Sequence, residues 1–515
     1  MTLYTPSVAR LRAVAERHGL GLSDAELDFL RTLGAEVLRG CERIDASGAG
    51  ARLPVRYART GGRPPTPDED ALNAWAWRCS VAGAEGGLLH GKRIVLKDIV
   101  PVAGMPMTAG SALLQGHAPD FDATIVTRIL DAGGEICGIA ATEDMCLSGA
   151  SVSAVTGQVR NPHDPARSAG GSSSGVAALV ASGAVDAGIG ADQGGSIRIP
   201  SSLCGVYGLK PTYGLIPYTG CIPIDVSVDY LGPIARTVAD IALLLEAVAG
   251  FDDGLDPRQR SDMRPVAYSE AIAESSLDGL RVGVVREGFG REGLSEPVVD
   301  EAVRTTAARF ADCGATVGDV SIPLHLYAMD IHGSILLQGG SEFMVRGNGI
   351  GMPGKGFHDP ALAEHMGRSR TRQADQLFAS VKYAMIIGGY LWEEYGGAYY
   401  AKAQNLAVAM RRAYDAVLES FDVLVMPTTC ITAPRLPAPD PESLAAIELA
   451  LDPALISNTC AFNHTGHPAL SVPIGPLDGM PVGLMLVGRR HDDAAVLRAA
   501  RGLEAGGHTL APGVT

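Results

Sequence analysis

Apolar positions near the start of the chain recur at helical spacing. Val8, Leu11, Val14 and Ala15 fall on one face of a helix over residues 7 to 18, and Gly19 follows as a C-cap. Ser23 and Glu26 have the spacing of a capping box, and the helix they open runs through Leu27, Leu30, Leu33 and Val37 to Gly40. The stretch Thr60-Gly-Gly-Arg-Pro-Pro-Thr-Pro67 then breaks any helix, because proline has no N–H and fixes its own φ. A boundary there gives an N-terminal helical region over residues 1–72 and one large domain over 73–515.

From about residue 75 the pattern changes to short β-branched runs separated by helical stretches and glycine turns. Arg93-Ile-Val-Leu96 and Glu135-Ile-Cys-Gly-Ile139 read as strands. Arg281-Val-Gly-Val-Val285 is followed by a helix burying Val299, Ala302, Val303, Thr306 and Phe310, and Ala315-Thr-Val317 enters the next strand. Phe421-Asp-Val-Leu-Val-Met426, Ala469-Leu-Ser-Val472 and Val482-Gly-Leu-Met-Leu-Val487 add three more. This alternation predicts an α/β sandwich. Residues 325–405, with scattered Met, Gly and Tyr, fit neither period and are expected to shape a substrate site.

The composition of 515 residues, 46% hydrophobic and 19% charged, with 64 glycines and 32 prolines, is that of a globular protein with many tight turns. A net charge of -15 without any long basic run argues against a nucleic-acid partner. The nine cysteines are scattered and form no C-x-x-C pair, the pattern of reduced thiols in a cytoplasmic protein. The first residues lack the apolar core of a signal peptide, and no run approaches the ~20 apolar residues of a membrane span, so cytoplasmic localisation and no membrane partner are expected.

Four motifs mislead. Gly86-Gly-Leu-Leu-His-Gly-Lys92 lacks the Ser or Thr that a P-loop places next, and Gly188-Ile-Gly190 is followed by Gln193 where a dinucleotide fingerprint needs glycine. His464 and His467 have no third ligand in their motif and read as ordinary loop histidines. Gly171-Ser-Ser-Ser-Gly175 matches a nucleophile elbow centred on Ser173, but an elbow needs a strand before it, and Val159 to Ala169 is polar with two prolines.

Three elements remain. Lys97 follows a buried strand, where a desolvated lysine loses pKa from about 10.4 and becomes a neutral base. Ser172 lies in a Gly/Ser loop, and Ser196 follows Gly194 and Gly195, whose missing side chains let successive N–H groups converge on one point. Each has a plainer reading as a solvated lysine or a flexible turn.

Together the motifs are recognisable. Ser168-Ala-Gly-Gly-Ser-Ser-Ser-Gly175, Gly190-Ala-Asp-Gln-Gly-Gly-Ser-Ile-Arg-Ile-Pro200 and Cys204-Gly-Val-Tyr-Gly-Leu-Lys-Pro-Thr-Tyr-Gly214 resemble the amidase signature family. Lys97 stands 75 residues before Ser172, and Ser172 stands 24 before Ser196, spacings that also resemble the family's. The N-terminal helices and the length are most similar to the bacterial, often enantioselective, amidases of nitrile degradation.

The resemblance implies an α/β/α sandwich with a large mixed β-sheet covered by helices, plus the helical appendage. It implies a Ser-cisSer-Lys triad, with Ser196 as nucleophile, Ser172 in a cis peptide as proton relay and Lys97 as base. The backbone N–H groups of Gln193, Gly194, Gly195 and Ser196 would form the oxyanion hole, supported by Ser173, Asp192 and Arg198. The activity implied is hydrolysis of carboxamides through an acyl-enzyme, without metal or organic cofactor; carbamates and aryl esters are alternatives for the same machinery.

The glutaminase subunit of a tRNA-dependent amidotransferase fits less well. There the stretch before the serine loop resembles Lys-Thr-Asn-Met-Asp-Glu-Phe, and here it reads Ala141-Thr-Glu-Asp-Met-Cys-Leu147. Met145, Cys146, Leu147 and Ile456 are the candidate pocket residues, within walls expected from Ile331 to Gln338 and Leu451 to Ile456. The scarcity of aromatics there suggests an aliphatic pocket. The N-terminal helices suggest a homodimer.

Overall fold

The computed structural model describes residues 4–48, 50–264, 266–274, 276–351, 354–440 and 443–510. The chain divides into two units between Arg52 and Leu53. In the smaller one, α1 (Val8–Arg17) packs on α2 (Asp24–Ser47). Ser23 and Glu26 form the capping box read from their spacing, with the Ser23 N–H donating to Glu26 Oε2 at 2.8 Å. The second helix does not stop at Gly40 but continues to Ser47, and the left-handed cap is Gly48. A helical glycine costs only about 1 kcal/mol relative to alanine, and Glu36 spans the site by pairing with both Arg39 and Arg43.

The larger unit is built on one mixed sheet of eleven strands. They are β1 (Trp75–Ala82), β2 (Arg93–Lys97), β3 (Glu135–Ala140), β4 (Ala187–Ala191), β5 (Tyr207–Lys210) and β6 (Leu231–Ala235). The others are β7 (Arg281–Val285), β8 (Thr316–Val320), β9 (Val423–Pro427), β10 (Ala469–Leu477) and β11 (Met480–Gly488). Their order is β1-β3-β2-β4-β6-β5-β10-β11-β9-β7-β8. Within it β2 runs parallel to both β3 and β4, so the C-terminal ends of these strands open on the same edge.

Helices α3 (Thr124–Asp131), α4 (Ser174–Ala181), α5 (Arg198–Cys204) and α6 (Val238–Val248) pack on the strands near this edge, and residues 174–180 of α4 are all buried. The segment Leu53 to Asn73 belongs with this unit. Arg59 grips the buried Asp122, and the Trp77 indole N–H donates to the Gly61 carbonyl at 2.9 Å.

All seven strands read from the sequence are present. Those not identified individually, β1, β4, β5 and β6, include two whose chemistry hides them. β4 is Ala-Gly-Ile-Gly-Ala, poor in the β-branched residues that signal a strand. Its glycines are required by packing: a Cβ at Gly188 would lie 2.6 Å from Val176 Cγ1, and one at Gly190 would lie 2.8 Å from Ser173 Oγ. β6 carries Pro233 in its middle, which argues against a central strand.

The expected helix after β7 spans Pro297–Ala308 and buries Val299 and Val303; Phe310 is buried just past its end. The unassigned region proves helical, with helices Ala328–Gly339, Pro360–Gln373, Ala379–Tyr395 and the start of Ala398–Leu418.

No strand precedes the Gly171 to Gly175 motif among the described residues; the stretch before it makes only isolated bridges. Gly175 is needed because α4 crosses the backbone at the ends of β1 and β3. A Cβ there would collide with the Ala74 carbonyl and lie 2.7 Å from Ala141 N and 2.8 Å from its O. Gly175→Ala should therefore lower stability by about 1–3 kcal/mol or more, since backbone on both sides cannot yield as a side chain does; urea unfolding measures it.

Candidate active site

Lys97 is the last residue of β2, and Ala191, at the end of the neighbouring β4, leads into the second serine loop. Lys97 is fully buried, with its Nζ 2.7 Å from Ser172 Oγ and 3.3 Å from the Ala191 carbonyl oxygen. Burial lowers its pKa below the ordinary 10.5, although Cys146, Asp192 and Glu143 nearby pull it upward. Ser172 is also fully buried, and the peptide bond joining it to Gly171 is cis. Its carbonyl accepts a hydrogen bond from Thr142 Oγ1 at 2.6 Å.

Ser173 joins the two serine loops. Its N–H donates to the Ser196 carbonyl at 3.1 Å, and its hydroxyl lies 3.2 Å from both the N and the O of Ala191. The nucleophile-elbow alternative would need this hydroxyl free; here it braces the end of β4.

The loop from Asp192 to Ser196 is held from behind by buried charge. Asp192 and Arg198 are both fully buried, and the guanidinium spans the carboxylate, Nε to Oδ2 at 3.0 Å and Nη2 to Oδ1 at 2.8 Å. Arg198 also donates to the Thr459 carbonyl and to Asn463 Oδ1, and the Asn463 amide donates back to Asp192. Burial raises the Asp192 pKa, but Arg198 and Asn463 outweigh it and hold the carboxyl down at about 2.

In front of this pair, Gln193, Gly194, Gly195 and Ser196 make no backbone N–H hydrogen bond among the described residues. Gly194 has no room for a side chain, since a Cβ would lie 2.6 Å from His332 Cε1 and 2.7 Å from Ile456 Cδ1. Gly195, at φ 149°, would drive one into Thr459 Oγ1, which itself donates to the Gly194 carbonyl at 2.6 Å.

Ser196 lines a cavity of about 260 Å³. Cys146, Leu147 and Ile456 lie on its wall, as do Leu336, Leu337 and Leu455. Met145 does not: it is buried with φ 48°, in a tight turn where its N–H bonds the Ala109 carbonyl. The turn at Asp144–Cys146 alternates sides, so neighbours in sequence do not share a wall.

His332 also lines the cavity, and the sequence gives no sign of it: it belongs to no motif and sits in a segment of unassigned period. Its Nδ1 lies 3.1 Å from Nε2 of His464, which is not in a loop but in the short helix Ala461–Thr465. Lys210, fully buried with its ammonium 3.9 Å above the Tyr230 ring, likewise carries no sequence signal.

A buried lysine on a serine hydroxyl, beside a second serine under a row of free N–H groups, is the equipment of an acyl-transfer hydrolase without histidine. The Amidase family model matches residues 66–497. The chain is 45% identical over 455 residues to an enantioselective amidase of Rhodococcus rhodochrous, covering 86% of each chain. Among solved structures it resembles a glutamyl-tRNA(Gln) amidotransferase subunit of Thermotoga maritima, with TM-score 0.68, 30% identity and coverage of 84% of this chain and 88% of that one. It also resembles the peptide amidase of Stenotrophomonas maltophilia, with TM-score 0.66, 28% identity and coverage of 83% and 85%. The chain belongs to the amidase family and is an amidohydrolase of the amidase signature type.

The Asp192–Arg198 pair sets a stability test. Arg198→Leu leaves a buried carboxylate unpaired and should cost about 3–5 kcal/mol in urea unfolding at neutral pH. In the parent protein the Asp192 contribution is complete above its ordinary pKa of 3.8 and is lost as pH falls through about 2.

Proposed function

We propose that the protein hydrolyses carboxamides of small carboxylic acids to acid and ammonia or amine. Ser196 attacks the carbonyl carbon, its proton passes to Ser172, and Ser172 passes one to neutral Lys97. The leaving nitrogen receives a proton back along the same path, and water then hydrolyses the ester on Ser196. The oxyanion sits on the N–H groups of Gln193 to Ser196, each such donor contributing roughly 3 to 4 kcal/mol to the transition state. Asp192, Arg198 and Ser173 hold that loop and the relay in place.

The observation that carries this reading is the 2.7 Å approach of Lys97 Nζ to Ser172 Oγ in a fully buried setting. Burial favours the neutral amine that a base requires. The same machinery accepts carbamates or aryl esters wherever they fit the cavity. The similarity to the Rhodococcus enzyme, at 45% identity against 30% for the Thermotoga protein, favours a free amidase over a glutaminase component of a larger complex.

The substrate is a small molecule, and we place the enzyme in the cytoplasm, in keeping with nine free cysteines. The exposed stripe Leu30, Leu33, Val37 and Ile44 on α2 suits pairing with a second copy of the chain. We take residues 1–72 as the pairing region and 73–515 as the catalytic domain.

Lys97→Ala should lower kcat/KM by about 10²–10⁴ without unfolding the protein, and Ser196→Ala should abolish turnover; retention of most activity by Lys97→Ala would remove lysine from the mechanism. For the parent enzyme, kcat/KM should rise with pH on a limb that ends below 10.5, because the base is competent only after Lys97 deprotonates. Mass spectrometry after a serine-directed inhibitor should place the adduct on Ser196, and an adduct on Ser173 would revive the nucleophile elbow. Light scattering should give twice the chain mass, reduced to one by the double change Leu33→Glu and Val37→Glu.

A further inference from the structure

His332 is 3% exposed, and its Nδ1 is engaged by His464 Nε2 at 3.1 Å, yet its Nε2 is buried without a hydrogen-bond partner among the described residues. A buried polar atom left unpaired costs about 1–3 kcal/mol, and such an atom on the wall of a binding cavity calls for a partner supplied by the ligand. Its position is specific: the ring packs on Gly194, with Nε2 2.7 Å from where a Cβ of Gly194 would stand. A ligand group that meets this nitrogen therefore lies close to the carbonyl oxygen held by the same loop.

Two atoms of a carboxamide lie that close, the leaving nitrogen and a substituent on the α-carbon. The cavity shared by Ser196 and His332 does not include Ser172 among its lining residues, whereas the leaving nitrogen must face Ser172 to be protonated. His332 is thus on the acyl side. The proton shared by the two imidazoles leaves Nε2 either donor or acceptor, and a hydroxyl satisfies both. An ammonium would bring charge among Leu147, Ile199, Leu336, Leu337, Leu455 and Ile456, which is costly without a partner. We propose that His332 is a specificity-determining residue that hydrogen-bonds the hydroxyl of 2-hydroxycarboxamides bearing a hydrocarbon side chain, and so distinguishes their enantiomers. This rests on the amidase reading above.

The test compares (R)- and (S)-2-hydroxy-4-methylpentanamide with 4-methylpentanamide. The hydroxyl activates the carbonyl equally in both enantiomers, so the enantiomer ratio isolates recognition from reactivity. In the parent enzyme one enantiomer should have a kcat/KM about tenfold above the other, the range of one buried hydrogen bond. His332→Leu should bring that ratio towards one, and His332→Gln, which keeps a polar atom, should restore part of it. A parent ratio near one overturns the proposal even if the variants do not fold. So does a ratio unchanged in His332→Leu, or an equal fall on all three amides, which would place His332 on the reacting group. If the parent enzyme hydrolyses none of them and Ser196 is not labelled by a serine-directed inhibitor, the amidase reading itself has failed; hydrolysis of 4-methylpentanamide with no enantiomer preference removes this proposal alone.

Discussion

The site depends on one buried ion pair. Asp192 leaves the end of β4 and Arg198 opens α5, so the pair closes the ends of a short loop that carries Gln193, Gly194, Gly195 and Ser196. Two fully buried charges are tolerable only when every remaining donor and acceptor is engaged. Here Thr459, Asn463 and the Ile197 N–H complete the set. Because the polar atoms of the pair face away from the cavity-lining loop, the N–H groups in front are left for a ligand. The cost of an unpaired row of donors is thereby offset by a network behind it that cannot relax to meet them.

The same economy of space explains the glycines. Gly190 leaves room for the Ser173 hydroxyl, Gly194 for the His332 ring and Gly195 for the Thr459 hydroxyl. Each is a place where a functional neighbour approaches the backbone more closely than a Cβ allows. Rigidity on one side and close packing on the other fix Ser196 without a hydrogen bond to its own side chain from a histidine.

Much of this was legible in the sequence where local chemistry is distinctive. The strands with β-branched runs, such as Arg281 to Val285, and the capping box at Ser23 announce themselves through short-range pattern. The lysine and the two serines were legible because three separated motifs agree in type and spacing. β4 was not, because its glycines serve close packing and conceal a strand. The C-terminal limit of α2 was missed because ion pairs at Glu36 outweigh one glycine. His332 was invisible for another reason: its importance lies in a contact with Gly194, 138 positions away in sequence, and long-range contacts leave no mark on either neighbourhood alone.

The parallel run of β2 and β4 brings Lys97 and the Ser196 loop to one edge of the sheet through the backbone ladder, while His332, Leu336 and Leu337 come from the chain between Val320 and Val423, which links β8 to β9 at the far side of the strand order. Reaction and recognition are therefore carried by separate stretches of chain with separate supports. Evolution can exchange the helical excursion as a module, altering which acids are released while the hydrolytic apparatus is inherited intact.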